Sequence, residues 1–207
     1  YKNKESMEVK KTPRIKYKII TRYLDDLKKV LYDKKWLKTA KNFPVYKIRR
    51  GIRSRNGLRY DETMIFPKML GSEFPKTFGH GHINNYLELY LVLEGKAIFL
   101  VQKISSKNKK IIDDIYGIKA EKGKSVIIPS GYGHLAINPS KKELKIGNWV
   151  NKNCRNDYKL FKENRGAGYY YTTKGWLKNK KYRKVSQIYF EKPLRRKINV
   201  LKIFSLK

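Results

Sequence analysis

The chain has 207 residues, carries 50 Lys and Arg against 17 Asp and Glu for a formal charge of +33, and contains a single cysteine. That length can bury a real core and fits one domain over residues 1–207, while no run of about 20 apolar residues is present to span a bilayer as a helix. The opening Tyr1-Lys2-Asn3-Lys4 lacks the apolar core of a secretory signal and Cys154 has no intrachain disulfide partner, so a cytoplasmic protein is expected.

Residues 1–14 are polar and basic and read as an extended arm. From Thr21, a candidate N-cap, the spacing of Leu24, Leu27, Val30 and Leu31 predicts a short amphipathic helix. Val45 to Ile52 reads as a strand, followed by the Asn56-Gly57 turn signal. Tyr86 to Leu93, then Glu94-Gly95, then Lys96 to Lys103 read as strand, tight turn and strand, because β-branched and apolar residues flank a glycine. Further strands are expected at Ile111–Ile118, Ser125–Ile128, His134–Asn138 and Leu144–Val150, whereas residues 151–182 look irregular and aromatic. Lys184 to Lys207 forms a basic C-terminal extension, and the alternation from Ile198 to Phe204 predicts an edge strand there. Many short strands with glycine-rich turns imply a mostly β chain, an antiparallel barrel or sandwich with one short N-terminal helix.

The chain's three histidines are His80, His82 and His134, the first two as His-Gly-His and the third 52 residues beyond them. In a regular strand His80 and His82 share a face, and Glu88 keeps their parity. Three imidazoles and a carboxylate without thiolate suit a first-row divalent ion with open coordination positions, and the set does not choose among Fe, Mn, Ni and Zn. Glu88 is the only carboxylate placed beside these ligands, which makes it the candidate general base as well as a ligand.

The stretch from Gly123 through Pro129, Gly131 and His134 to Asn138 matches the second cupin motif at every fixed position. The first motif departs from the general pattern, with a longer gap between His82 and Glu88 and no leading glycine. Gly71-Ser72-Glu73-Phe74-Pro75-Lys76-Thr77-Phe78-Gly79-His80-Gly81-His82, with Tyr86 to Tyr90 and Val92 to Gly95, resembles the cupin-type phosphoglucose isomerases known chiefly from archaea. The likeness runs over residues 15–182, through Tyr23–Leu27, Val45-Tyr46, Arg50-Gly51, Leu58–Thr63, Asn148–Val150, Cys154, Asp157-Tyr158, Gly166–Tyr170, Trp176, Asn179 and Tyr182; Lys68 departs where that family more often has glycine. The resemblance implies a single cupin barrel that interconverts glucose 6-phosphate and fructose 6-phosphate. It implies His80, His82, Glu88 and His134 as metal ligands, with Thr63, Thr77, Gly79, Tyr90 and Tyr158 at the sugar phosphate, and a homodimer, as cupins often form.

Charge supplies a reading from another class. Residues 1–60 hold 20 basic and 5 acidic side chains, residues 61–150 hold 13 and 9, and residues 151–207 hold 17 and 3, so the excess lies outside the central strands. Such flanks attract polyanions and suggest a basic cupin paralogue that binds RNA, for instance on the ribosome, with its metal site retained or vestigial. Aromatics interleaved with the cations, at Lys16-Tyr17-Lys18, Tyr32 to Trp36 and Lys180 to Lys184, could stack on bases.

Overall fold

The computed structural model of the protein describes residues 17–194 and 199–205, so the arm expected over residues 1–14 lies outside the described residues. The chain opens with strand β1 (Lys18–Tyr23), helix α1 (Leu24–Leu27) and two short 3-10 turns. A long hairpin follows, β2 (Pro44–Arg55) and β3 (Leu58–Ile65). The central strands are β4 (Gly81–Ile83), β5 (Glu88–Glu94), β6 (Lys96–Ile104), β7 (Ile111–Glu121), β8 (Ser125–Ile128), β9 (Gly133–Ile137) and β10 (Leu144–Asn151). Then come β11 (Arg155–Asp157), α2 (Lys159–Glu163), β12 (Tyr169–Thr172), β13 (Gly175–Lys178), β14 (Lys184–Val185), β15 (Tyr189–Glu191) and α3 (Val200–Ser205).

Two sheets carry the fold. One has strand order β1-β2-β3-β10-β5-β8, the other β14-β7-β6-β9 with β15 also on β7. Leu100, Val101, Ile115, Val126, Ile128, Leu135 and Ile146, each 2% exposed or less, belong to one buried cluster contributed by both sheets. This is the cupin architecture, mostly strand with a small N-terminal helix.

The helix differs from its expected form in a way that local chemistry explains. Thr21 is not its cap but a strand residue paired with Lys47, because the β-branched run Ile19-Ile20-Thr21 extends the sheet. The backbone N–H of Tyr23 donates to Asp26 Oδ2 at 2.8 Å, which fixes the helix start two residues later. The spacing of the apolar face was informative, since Leu24, Leu27, Val30 and Leu31 are all buried.

Residues 151–182 are more ordered than their composition suggests. Tyr169–Thr172 and Gly175–Lys178 form a hairpin whose Tyr171 stacks on Phe74 at 4.8 Å and packs on Trp176 at 4.6 Å. Asn179 Nδ2 donates to the carbonyls of Asn164 and Ala167, and Tyr182 is buried with its hydroxyl on the Gly166 carbonyl. Tyr182 is therefore a core residue and not a base-stacking one. The C-terminal stretch also differs. Lys184-Val185 and Tyr189–Glu191 pair in parallel with β7, and Leu194 bridges to Ser125 on the opposite sheet. Beyond that, Val200–Ser205 is a helix instead of an edge strand. Its apolar positions, Val200, Leu201, Ile203 and Phe204, follow helical spacing, and Asn199 Oδ1 accepts the Lys202 N–H at 3.3 Å.

Candidate metal centre

The four proposed ligands come from three segments of the chain. His80 precedes β4 and exchanges two backbone hydrogen bonds with His134 of β9, at 3.0 and 2.8 Å. His82 lies in β4, pinned against Asn156 of β11, and Glu88 opens β5 between Val150 and Ile128. His82 and Glu88 are not on one regular strand. The chain reverses at Asn84 and Asn85, with φ of 67° and 52°, and this turn absorbs the extra residues of the first motif. Asn tolerates that left-handed backbone better than other side-chain-bearing residues.

The turn has a second effect. It brings the Tyr86 carbonyl to 2.6 Å from His82 Nδ1, and a carbonyl only accepts, so Nδ1 carries a proton and Nε2 is the nitrogen that offers a lone pair once it is deprotonated. His82 Nε2 and His134 Nε2 each lie 3.1 Å from Glu88 Oε2, with His80 Nε2 at 4.0 Å. Glu88 Oε2 is buried and accepts no hydrogen bond, while Oε1 receives one from Asn148 Nδ2 at 2.6 Å. All four ligand atoms fall within 4.8 Å of one another. Convergent acceptor atoms around a buried carboxylate oxygen call for a cation, so the residues fit a metal ion.

The electrostatics agree for His80 and His134 but not for His82, where burial is outweighed by Cys154 and Glu88, which push the imidazole up to about 10, so an ion bound there displaces a proton. Burial, and then the neighbouring His134, hold the His80 imidazole well below its ordinary range, and burial also lowers His134. Burial opposes the Glu88 charge, but His134 and His82 outweigh it and keep the carboxyl well below the usual range. Tyr90 lies against this centre, its hydroxyl 3.1 Å from His134 Nε2, and burial together with Glu88 keeps it protonated.

One cavity opens onto the cluster. Thr63, Thr77, Gly79, Tyr90 and Tyr158 all line it with His80 and Glu88. Thr77 pairs with Ala136 through both its N–H and its hydroxyl, which accepts the Ala136 N–H at 3.0 Å. Gly79, at φ 87°, is held by close approach, because a Cβ there would stand 2.4 Å from the Phe161 ring. Tyr158 caps the mouth, its ring 5.7 Å from His80 and its hydroxyl accepting from Asn156. Arg50, Arg59, Asp61 and Asn148 also line the cavity; the sequence placed them in segments of the family likeness but gave them no role in the site. Strand parity held the signal for Arg50, which repeats the inward positions of Tyr46 and Ile48.

Two residues of the distinctive glycine-to-histidine string lie elsewhere. Glu73 and Lys76 form a buried ion pair; Glu73 Oε2 accepts the Tyr32 N–H at 2.9 Å and Lys76 Nζ donates to the Val30 carbonyl at 2.9 Å. They anchor the segment after α1 to the sheets. Asn138 of the second motif is likewise structural, donating to the carbonyls of Ile65 and Lys142. Lys68 places its ammonium 4.0 Å from the centre of the Phe43 ring.

Fold and site together define a cupin with a three-histidine, one-glutamate cluster suited to a divalent metal. The model of the family glucose-6-phosphate isomerase (GPI) matches residues 21–187, and the chain belongs to that family. Among curated proteins none matches. Among solved structures, an oxalate oxidase in complex with the substrate analogue glycolate is 21% identical over 46% of this chain and 42% of its own, with a TM-score of 0.35. CapF, a capsular polysaccharide assembling protein from Staphylococcus aureus, is 20% identical over 51% of this chain and 26% of its own, at 0.41. The Schizosaccharomyces pombe Cnp3 cupin domain is 10% identical over 56% and 70%, at 0.38. The chain thus aligns with less than half of the oxalate oxidase and about a quarter of CapF.

Proposed function

We propose that the protein interconverts glucose 6-phosphate and fructose 6-phosphate. The observation that carries this reading is the coincidence, in a chain of the GPI family, of the His80, His82, Glu88 and His134 cluster with a polar cavity lined by Thr63, Thr77 and Gly79. Those four side chains would hold Fe, Mn, Ni or Zn, and such an ion supplies Lewis-acid polarisation of the sugar oxygens. Thr63 and Thr77 offer hydroxyl donors and Gly79 a backbone amide to a phosphate dianion. Tyr90 and Tyr158 narrow the cavity around the reacting carbons.

Glu88 is the group proposed to move a proton between C1 and C2. Its carboxylate is ionised and aligned by Asn148, which stands ready to share the charge as the proton arrives and leaves. A hydride shift between the two carbons is the other route to the same product. Turnover of fructose 6-phosphate in deuterated water separates them, since only proton transfer through Glu88 washes solvent deuterium into C2 of the aldose.

The isomerase reading is tested by incubating protein reconstituted with each of the four metals with fructose 6-phosphate, against chelator-treated protein. Metal-dependent formation of glucose 6-phosphate is expected. A folded, metal-loaded protein inactive with every metal would reject the reading.

The +33 charge favours a second activity, binding of RNA by a basic cupin, on the ribosome for instance. Exposed cations such as Lys28, Lys29, Lys47, Arg53, Lys184 and Lys192 support it. Retention of RNA at physiological salt, lost steeply as salt rises, is the expected result; no retention at any salt would dismiss it.

A further inference from the structure

Arg50 is the charged side chain whose place in the cavity neither the fold nor the metal cluster explains. Along β2, Tyr46, Ile48 and Arg50 line the cavity while Lys47 and Arg49 are exposed. An arginine turned inward loses hydration, and the usual compensation is a partner. The neighbouring carboxylate is already engaged. Asp61 Oδ1 accepts the Gly51 N–H at 2.8 Å, and both Asp61 oxygens accept Arg59 Nε at 3.0 Å. Arg50 Nε stands 3.7 Å from Asp61 Oδ2, too far for a hydrogen bond, and is buried without a hydrogen-bond partner among the described residues.

The backbone is shaped around this placement. Pairing of β2 with β3 breaks between Arg49–Glu62 and Arg53–Tyr60, so residues 50–52 oppose Asp61 alone. Gly51 at the centre of this bulge has φ 78°. A bulge re-aims the side chains beside it, and here it sits at the rim of the cavity. Thr63 pairs with Ile48 on the adjoining strand, which makes it a neighbour of Arg50 on the same inner surface. Arg59 and Arg50 thus share the single carboxylate of Asp61, at 3.0 and 3.7 Å, and with Glu88 committed to the histidine cluster the cavity keeps one positive charge in excess.

We propose that Arg50 is the cationic contact for the phosphate group of the ligand, acting beside Thr63, and that it sets the preference for a sugar phosphate over a neutral sugar. The identity of the ligand rests on the isomerase reading; the anion site rests on the geometry of Arg50.

The test uses the full-length, metal-loaded protein as wild type, Arg50→Gln and Arg50→Lys. Inorganic phosphate binding is followed by calorimetry, fructose 6-phosphate turnover by steady-state kinetics, and metal content and thermal midpoint are recorded for each. Arg50→Gln is expected to weaken phosphate binding by roughly tenfold or more, since a charge-assisted bond to the anion is removed. The kinetic loss falls on KM more than on kcat, metal content is retained, and the thermal midpoint changes little, because Arg50 meets Asp61 only at 3.7 Å and Arg59 still matches that carboxylate. Arg50→Lys recovers part of the phosphate affinity. Unchanged phosphate affinity and KM in Arg50→Gln would overturn the proposal, as would a wild type that binds no phosphate. A wild type that binds phosphate through Arg50 yet isomerises no sugar phosphate would leave the anion site standing and overturn the isomerase reading instead.

Discussion

Asn148 bonds to the histidine–glutamate cluster through Glu88, by a 2.6 Å bond from Nδ2 to Oε1, so its removal probes how firmly the carboxylate must be held. Asn148→Ala is expected to lower metal affinity or turnover by about 10–100-fold, the usual cost of losing an outer-sphere partner, as read by competition with a chelator. No measurable change would show that Glu88 is held by the strand alone. A second residue-scale prediction concerns the buried pair. Lys76→Ala leaves Glu73 in the core without its cation and is expected to destabilise by about 3–5 kcal/mol in urea unfolding. Replacing both residues by apolar ones of similar size should restore most of that, and failure to do so would show that the pair's further bonds to Tyr32 and Val30 dominate. The cluster of His80, His82, Glu88 and His134 was legible because histidine is so scarce in this chain. Asn148 was not, since an asparagine in a strand carries no mark of its role until its partner is known, and Arg50 could be placed only by its parity with Tyr46 and Ile48.

Elements tell a similar story. The Asn56-Gly57 turn and the central strands could be read directly, because turn chemistry and apolar runs are local signals, whereas the strand Leu58–Ile65 after that turn was not read. The strand nature of Lys18–Tyr23, the hairpin at Tyr169–Lys178 and the parallel pairing of Tyr189–Glu191 depend on partners distant in sequence, where polar and aromatic composition misled. The turn at Asn84-Asn85 is the element on which the site depends most. Deleting Asn85 would reverse the facing of Glu88 relative to its strand or force β5 out of register, and loss of bound metal with retained strand content by circular dichroism is expected. Retained metal would mean that the loop absorbs the deletion. Asp33 gives a pH-dependent prediction. It accepts the Trp36 N–H at 3.0 Å and bonds to Ser72, and the Trp36 bond leads in holding its carboxyl below the usual value of 3.8. A lowered folded-state value stabilises above that pH and its contribution disappears as the pH falls through it. Asp33→Ala should therefore be less stable than wild type at pH 7 by about 1 kcal/mol, with the difference shrinking in acid; a gap independent of pH would assign the effect to packing.

For the whole molecule, the basic excess reaches from the cavity's own hairpin to the C-terminal tail. The residues that line the cavity belong to the part matched by the GPI family, whereas the tail past residue 187 lies outside that match. Because Tyr189–Glu191 and Leu194 are built into the sheets, a cut that tests the tail as a polyanion-binding surface belongs after Leu194. Removing residues 195–207 is expected to reduce the salt dependence of RNA binding, by about 0.7–0.9 in the log–log slope for each phosphate no longer neutralised, without affecting isomerisation. An unchanged slope would locate RNA binding elsewhere on the surface. No helix among the described residues is long and apolar enough to cross a membrane.

The most direct test of the account is a titration of metal-free protein with one divalent metal, following bound metal and conversion of fructose 6-phosphate together, with His134→Ala alongside. Activity rising in step with metal to a plateau at about one ion per chain, and absent in the variant, is the predicted result, since one buried cluster of four ligands holds one ion. Isomerisation that survives in His134→Ala, or a fully loaded wild type without turnover, would contradict it.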